Sequence, residues 1–297
     1  MITLPETQDV VALVDWLEAS LLTQKAPRIS DEAIIDVLSE ADLDDPESLL
    51  ASMQQTFRFR SRTVGEAYPF TRDGSGFLRA CSWPDSLPYS FMLFASLNQS
   101  YVELTYAKGR ANRPAELFEH LASYAIEKYL VCEVVRIGAP RRHPVPTQFP
   151  SALDYTVDRL GEIIGHRDLE DHASGDDGVD LIGWRPFGDL RASQAIIFAQ
   201  CAIGTDWRDK RDGVNLDMWR QHINWHSPPL KGFAIPFHHQ SGKPWRETAI
   251  RAGIIFDRLR IARLVPPGAL PQADRRSMTE WCSKTRLPQV LKLNVDL

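Results

Sequence analysis

Two short apolar runs, joined by a polar connection, constrain the fold of this chain more than any other stretch. The first covers residues 179–182 and follows a Gly- and Asp-rich turn at residues 175–178; the second covers residues 194–199. Their β-branched and aromatic content, their short lengths and the flanking turn residues favour two paired strands over a helix. Because Asp180 begins the first strand and Gln200 ends the second, we expect both side chains at one edge of a sheet.

Oxygen-bearing side chains at such an edge are suitable ligands for a hard divalent cation. Mg²⁺ is usually held by one or two carboxylates together with carbonyls, water and phosphate. Asp180 and Gln200 therefore predict a site for Mg²⁺ (or Mn²⁺). The competing interpretation is that Asp and Gly simply form an ordinary turn, which both residues favour, and that the Gln is a surface amide.

The segments GDDGVDLIGW and IIFAQCA resemble the core of the PD-(D/E)XK nucleases, in particular the Mrr-like restriction endonuclease group. That group shows a GDGGID-type turn on one strand and QxK or ExK on the next. The resemblance covers residues 114–265. It implies that Asp180 and Gln200 are catalytic and metal-binding residues and that the backbone carbonyl of Cys201 is a further metal ligand. Ala202 occupies the position at which the group has its lysine.

Two roles in the implied site stay open. Without the lysine, either the site is inactive or a cation from elsewhere in the chain takes the lysine's role. Lys210 is the nearest candidate in sequence. Residues 205–210 have the pattern of a capped helix start, and a lysine one turn into a helix beside the strand could point back at the site. In the resembled nucleases a helix Glu can join the metal site. Glu119 matches that position, whereas Glu162, in a helix predicted at residues 152–164, lies nearer the Asp turn in sequence.

The resemblance implies a metal-dependent DNA endonuclease that hydrolyses phosphodiester bonds, a hydrolase of restriction or antiviral (anti-phage) defence. Its partners would be DNA, proteins of a defence system and a second copy in a homodimer. The alternative is a catalytically inactive nuclease-fold subunit that acts as a binding or scaffold module in a defence complex. A zinc hydrolase using His222, His226 and His238 is disfavoured, because no HExxH or Cys pattern accompanies them.

Charge is distributed unevenly along the chain. Residues 1–180 carry 16 Lys and Arg against 29 Asp and Glu, whereas residues 181–297 carry 18 against 10. A basic C-terminal part suits a phosphate-bearing partner. Within it, Arg258, Arg260 and Arg263 are predicted to contact DNA phosphates, with packing salt bridges as the competing explanation.

The periodicity of apolar residues divides the chain into two lobes. Residues 1–56 show helical spacing, and the FRFRSR stretch at residues 57–62 alternates in the manner of an edge strand. Stacking of its aromatic rings on single-stranded nucleic acid is the alternative. We predict an N-terminal helical plus small-sheet accessory domain at 1–112. We predict an α/β restriction-endonuclease-like domain, a mixed sheet flanked by helices, at 113–297.

Composition places the chain among soluble globular proteins, with 43% hydrophobic and 25% charged residues. No apolar run approaches the roughly 20 residues that span a bilayer. The N-terminus lacks the basic and apolar pattern of a signal peptide, and the four cysteines form no CxxC pair. We therefore expect a cytoplasmic location and no membrane partner.

Overall fold

The computed structural model describes residues 1–97, 114–166 and 178–283. Within these ranges the chain forms two compact units. The second unit contains Phe118–Ile235 and His239–Asp257, and the first contains the described residues before, between and after these segments. The predicted domain boundary at 112/113 lies outside the described residues. The described residues from Arg258 to 283 lie in the first unit.

The first unit combines helices with a small antiparallel sheet of order β1-β3-β2. Its strands are β1 (Arg28–Ser30), β2 (Phe70–Asp73) and β3 (Gly76–Arg79). Its helices are α1 (Val10–Thr23), α2 (Asp31–Glu40), α3 (Pro46–Val64), α4 (Leu87–Ser96), α9 (Arg258–Leu264) and α10 (Gln272–Trp281).

The starts of α2 and α3 follow from the sequence. The Ser30 hydroxyl accepts a hydrogen bond from the Ala33 amide at 3.2 Å, and the Asp45 carboxylate accepts one from the Ser48 amide at 3.2 Å. These side chains satisfy amides that have no partner within the first helical turn. Pro46 stands at the first position of α3, where its missing N–H costs nothing.

The predicted edge strand at residues 57–62 is wrong, because this stretch belongs to α3. Its buried residues, among them Phe57, Arg60 and Val64, recur every three or four positions and so form one helical face. The local alternation of Phe and Arg concealed this longer period. The apolar run at residues 91–95 is also helical and lies in α4.

The second unit is built around a five-stranded mixed sheet of order β10-β9-β7-β6-β4, flanked by helices. Strands β4, β6 and β7 are antiparallel neighbours, and β7, β9 and β10 are parallel. The strands are β4 (Glu133–Arg136), β6 (Leu181–Arg185), β7 (Ala195–Cys201), β9 (Leu230–Ala234) and β10 (Ile254–Phe256). The predicted α/β class, with a mixed sheet flanked by helices, is confirmed. That the sheet is specifically of the restriction-endonuclease kind stays a prediction.

The helices of this unit surround the sheet and a two-stranded ribbon. The helices are α5 (Pro114–Leu130), which begins in the first unit, α6 (Phe149–Leu160), α7 (Leu216–His222) and α8 (Lys243–Ala252). The ribbon pairs β5 (Ile163–Ile164) with β8 (Ile223–Asn224). Helix α6 ends at Leu160 because Gly161 adopts a left-handed conformation, with φ +66°. Glu162 therefore lies after the helix. The prediction that this helix extends to residue 164 and carries Glu162 is wrong.

The predicted pairing of the two apolar runs is present, with Leu181 opposite Ala199 and Trp184 opposite Ile196. One face of this pair packs against α6 and α7 in a core that includes Phe198 and Trp219. The rings of these two residues meet edge to face, 5.2 Å apart. In the described part of the chain, no helix has both the length and the apolar character needed to cross a bilayer.

Candidate active site at the end of strands β6 and β7

Asp180 stands immediately before β6 and is fixed by backbone hydrogen bonds to both neighbouring strands. Its amide donates to the Ala199 carbonyl at 3.0 Å, and its carbonyl accepts from the Ile137 amide at 2.8 Å and the Gly138 amide at 3.1 Å. Its carboxylate Oδ2 accepts from the Cys201 amide at 2.7 Å. The structure therefore brings the Asp180 side chain to the end of β7, while residues 175–177 of the preceding turn lie outside the described residues.

Glu119, on α5, approaches the same place across Gly138. A Cβ atom built on Gly138 would lie 3.0 Å from Asp180 Oδ1 and 3.4 Å from Glu119 Oε2. Both carboxylates therefore face one glycine, and the absence of a side chain there leaves room for them. Glu119 is almost fully buried, with 8% of its surface exposed.

Arg136, on β4, is a part of this cluster that the sequence did not reveal. Its Nε donates to Glu119 Oε2 at 2.5 Å, and its Nη1 donates to the Pro140 carbonyl at 2.7 Å. This ion pair is shielded from solvent, since only about a tenth of each side chain is exposed. Arg136 lies two residues before Gly138 on an edge strand, and no motif marks it.

The Cys201 thiol is close enough to respond to all three charges. Burial raises the pKa of this thiol well above its usual value, the negative charges of Asp180 and Glu119 raise the pKa further, and Arg136 lowers it. The thiol therefore stays protonated and neutral at physiological pH. Asp180, Glu119, Arg136 and Cys201 form one electrostatic cluster.

Gln200 precedes Cys201 on β7 and therefore points to the opposite face of the strand. Its Oε1 is buried and accepts no hydrogen bond from the described residues. A Cβ on Gly213 would lie 2.1 Å from this oxygen, and a Cβ on Gly178 would lie 2.5 Å from the Gly213 carbonyl oxygen. Gly178 also has φ +75°. Both this backbone conformation and the close approach of the Gly213 carbonyl favour glycine at position 178.

Lys210 lies in the short 3-10 turn Asp209–Asp212, and its carbonyl accepts from the Gly213 amide at 3.0 Å. This turn therefore runs beside the Gln200 amide. The Lys210 ammonium is 3.4 Å from Asp206 and is 41% exposed. Ala202, at the position of the expected lysine, is completely buried. The catalytic role of Lys210 stays a prediction.

Glu162 belongs to a different cluster. Its Oε1 accepts from the Ser193 amide at 2.8 Å, and its Oε2 accepts from the His226 amide at 3.1 Å and lies 2.7 Å from His226 Nδ1. Its carboxylate thus joins the end of the β6–β7 connection to the segment after β8. Of the two carboxylates between which the sequence did not decide, Glu119 is the one that shares the surroundings of Gly138 with Asp180.

The three histidines of the disfavoured zinc-hydrolase alternative lie in separate surroundings. His222 is buried and contacts the rings of Phe149 and Trp219 edge to face. His226 is held by Glu162, and His238 Nδ1 accepts from Arg60 Nε at 3.2 Å. Among the described residues, no group of three or more His, Cys, Asp or Glu is arranged to hold a metal ion.

The prediction that Arg258 contacts DNA phosphate is wrong. Its side chain is completely buried, and its guanidinium pairs with Asp15 through two hydrogen bonds of 2.8 Å. The competing explanation, a packing salt bridge, applies to this residue because a buried guanidinium must be paired. Arg260 and Arg263 are exposed, and Arg263 donates to the Thr63 carbonyl at 2.9 Å; their contact with DNA stays a prediction.

The two carboxylates beside Gly138 are of the chemical kind that a hard cation takes as ligands. Asp180 and Glu119 supply two carboxylates, which is the protein contribution that Mg²⁺ usually needs beside water and phosphate. The Gln200 side chain, predicted as a further ligand, lies beside Gly213 on the opposite face of β7 from the Cys201 thiol, and the structure does not bring it to Asp180 and Glu119. A cation bound to Glu119 would compete with Arg136 for the same Oε2 atom.

No protein-family model, curated protein or solved structure matches this chain.

Proposed function

We propose that the chain is a metal-dependent DNA endonuclease of the PD-(D/E)XK kind that acts in restriction or anti-phage defence. The observation that carries this proposal is the approach of Asp180 and Glu119 to a single glycine, Gly138, at the end of two central strands. It is the arrangement expected of the metal-binding edge in the resembled Mrr-like group. The glycine turn before Asp180 and the QC pair ending β7 support the same assignment.

Asp180 and Glu119 would hold Mg²⁺ or Mn²⁺ in this site. When bound, the ion supplies a water of lowered pKa and a positive charge against the scissile phosphate. The Cys201 amide fixes the orientation of Asp180 through Oδ2, and Oδ1 faces Gly138, as Glu119 Oε2 does. The Arg136 guanidinium holds Glu119 in place.

Lys210 is the residue proposed to replace the lysine absent at position 202. Its turn already lies beside Gln200, through the Gly213 segment. Its pair with Asp206 is exposed, and such pairs contribute only about 0–1 kcal/mol, so the side chain is free to change partner. In the proposed mechanism the ammonium orients the attacking water.

One observation favours the second candidate, a catalytically inactive nuclease-fold binding module. Arg136 already supplies a positive charge at 2.5 Å from Glu119, so the buried carboxylate is compensated without a metal. In that case the fold would serve a defence complex as an interaction subunit. Calorimetric titration with Mn²⁺ separates the two candidates, because only the nuclease requires the ion.

The nuclease is tested with Asp180→Asn, which removes the charge and retains the size of the side chain. We expect Mn²⁺-dependent plasmid cleavage to fall by at least about a hundredfold. Asp189→Asn is the matched control, because Asp189 is an exposed carboxylate in the same unit whose recorded partner is Arg191. Equal cleavage by wild type and both variants would show that the site is misassigned.

A further inference from the structure

A cleft of about 730 Å³ lies on the first unit, between α3 and β2. Six of its eight described lining residues are polar, and three of these are arginines. The polar lining residues are Gln55, Arg58, Ser61, Arg62, Thr71 and Arg72. All of them belong to the first unit, so the cleft is complete within it.

Two of the arginines, Arg58 and Arg62, stand one helical turn apart on α3. Side chains at this spacing are neighbours on one face, with Cβ atoms about 5–6 Å apart. Both residues are exposed. Arg58 Nε donates to the Gln54 carbonyl at 3.2 Å, which directs the guanidinium along the helix. Within the part of the chain that the structure describes, no carboxylate pairs with either arginine.

Arg72 forms the opposite wall and is held rigidly. Its two terminal nitrogens donate to Asp31 at 2.8 and 2.6 Å, and its guanidinium carbon lies 4.7 Å from the centre of the Phe77 ring. Because Asp31 compensates this charge, Arg72 mainly shapes the wall. The attraction for an anion therefore comes from Arg58 and Arg62.

The chemistry of the lining points to phosphate. Guanidinium groups bind phosphate through paired hydrogen bonds. Hydroxyl and amide side chains such as Ser61, Thr71 and Gln55 are common further donors to phosphate oxygens. Two arginines in a row along a helix match a ligand that carries phosphates in a row. Among the described lining residues, only Ala51 and the buried Phe57 are apolar, so the cleft has few apolar side chains that could contact an apolar part of a ligand.

The aromatic rings near the cleft already contact other rings of the first unit. Phe57 is 2% exposed and packs against the rings of Tyr68 and Phe77 at 5.3 and 4.8 Å. Phe59 is 38% exposed, but its ring stacks on His238 at 5.6 Å. We propose that this arginine cleft binds the phosphate backbone of a single nucleic-acid strand without reading its bases.

The test measures the binding of a fluorescent 20-nucleotide single strand by anisotropy, in EDTA and over a series of salt concentrations. The variant carries both substitutions, Arg58→Gln and Arg62→Gln, in one chain. Arg275→Gln/Arg276→Gln, which changes two exposed arginines on α10 of the same unit, is the matched control. Because EDTA removes divalent metal, the result does not depend on whether the chain cleaves DNA. Circular dichroism verifies that each variant is folded.

We expect the variant to bind at least about tenfold more weakly than the control. The slope of log affinity against log salt should fall by about 1.4, since each phosphate contact on a single strand contributes about 0.7. Replacing the bases at constant length should not change the affinity. The same affinity and slope in variant and control would overturn the proposal. Displacement of the strand by polyglutamate or inorganic phosphate at equal charge concentration would also overturn it.

Discussion

Arg258 and Asp15 are separated by 243 residues in sequence, yet they form a two-point ion pair in the first unit, with both N–O distances at 2.8 Å. Arg60 and Glu18 complete the network, since the Arg60 Nη1 atom lies 2.6 Å from Asp15 and 2.9 Å from Glu18. The two guanidinium groups and the Glu18 carboxylate are fully buried. Two charges of each sign therefore compensate one another away from water, and they link α9 to α1 and α3.

Replacing Arg258 with Met should destabilise the first unit strongly. Removing one partner of a buried ion pair leaves an uncompensated carboxylate, which costs about 3–5 kcal/mol. Urea denaturation followed by circular dichroism measures the loss. Arg260→Met is the matched control, because Arg260 lies on the same helix but is exposed. If the two variants unfold at the same urea concentration, the network does not contribute as the structure indicates.

The Asp15 carboxylate should make the stability of the chain sensitive to acid. Burial is the largest single influence and by itself raises the pKa of Asp15. Attraction to Arg258 and Arg60 outweighs it, and the pKa falls from 3.8 to about 2. Because the pKa in the folded state is the lower one, the stabilisation is present above pH 4 and is lost as the pH falls towards 2.

This loss amounts to about 2 kcal/mol of unfolding free energy. The measurement compares wild type with Asp15→Asn by urea denaturation at several pH values. We expect the difference in unfolding free energy between them to shrink by that amount between pH 5 and pH 2. A difference that stays constant over this range would show that Asp15 is not stabilised in its charged form.

The same network shows why part of the first unit could not be predicted from the sequence. The stretch containing Phe57 and Arg60 satisfies a two-residue alternation over six residues, and an arginine is normally exposed. Arg60 is buried because Asp15 and Glu18 reach it from another helix, and no local pattern carries that information. Arg258 was misjudged for the same physical reason.

The second unit was more predictable, because its central strands are marked by local chemistry. Apolar β-branched runs and a glycine turn were sufficient to predict the pairing of β6 with β7 and the position of Asp180. Arg136 was missed, and the choice between Glu119 and Glu162 stayed open. The involvement of Arg136 and the choice between the two glutamates depend on how α5 and the segment after α6 pack against the sheet. The spacing of residues along the chain does not determine this packing.

Glu162 and Glu119 should have separable effects. Glu162→Ala removes the buried carboxylate that accepts from the Ser193 and His226 amides, and each of these two part-buried hydrogen bonds contributes about 0.5–1.5 kcal/mol. We therefore expect a lower melting temperature for Glu162→Ala and unchanged cleavage at temperatures where the variant is folded. Glu119→Gln should instead abolish cleavage. Thermal unfolding and plasmid cleavage are measured on both variants. If folded Glu162→Ala loses cleavage and Glu119→Gln retains it, Glu162 rather than Glu119 belongs to the metal site.

Lys210→Met should reduce cleavage without reducing stability. The Lys210 side chain is substantially exposed and its pair with Asp206 is at the surface, so its removal should change the unfolding free energy by no more than about 1 kcal/mol. Loss of a cation that orients water should lower the cleavage rate by about a hundredfold. Lys243→Met is the control, since Lys243 forms a comparable exposed ion pair with Glu247, four residues later in α8. Equal rates for the two variants would assign the missing cation to another residue.

Gly138→Ala tests whether the two carboxylates act together. The new Cβ would lie 3.0 Å from Asp180 Oδ1, so the carboxylate must give way by a few tenths of an ångström. Small misplacements of a catalytic group are costly, and we expect cleavage to fall by about tenfold or more and Mn²⁺ to bind more weakly by calorimetry. Gly268→Ala is the control, because nothing lies within 4 Å of a Cβ at that position. Unchanged cleavage and unchanged Mn²⁺ affinity in Gly138→Ala would mean that Asp180 and Glu119 do not share an ion.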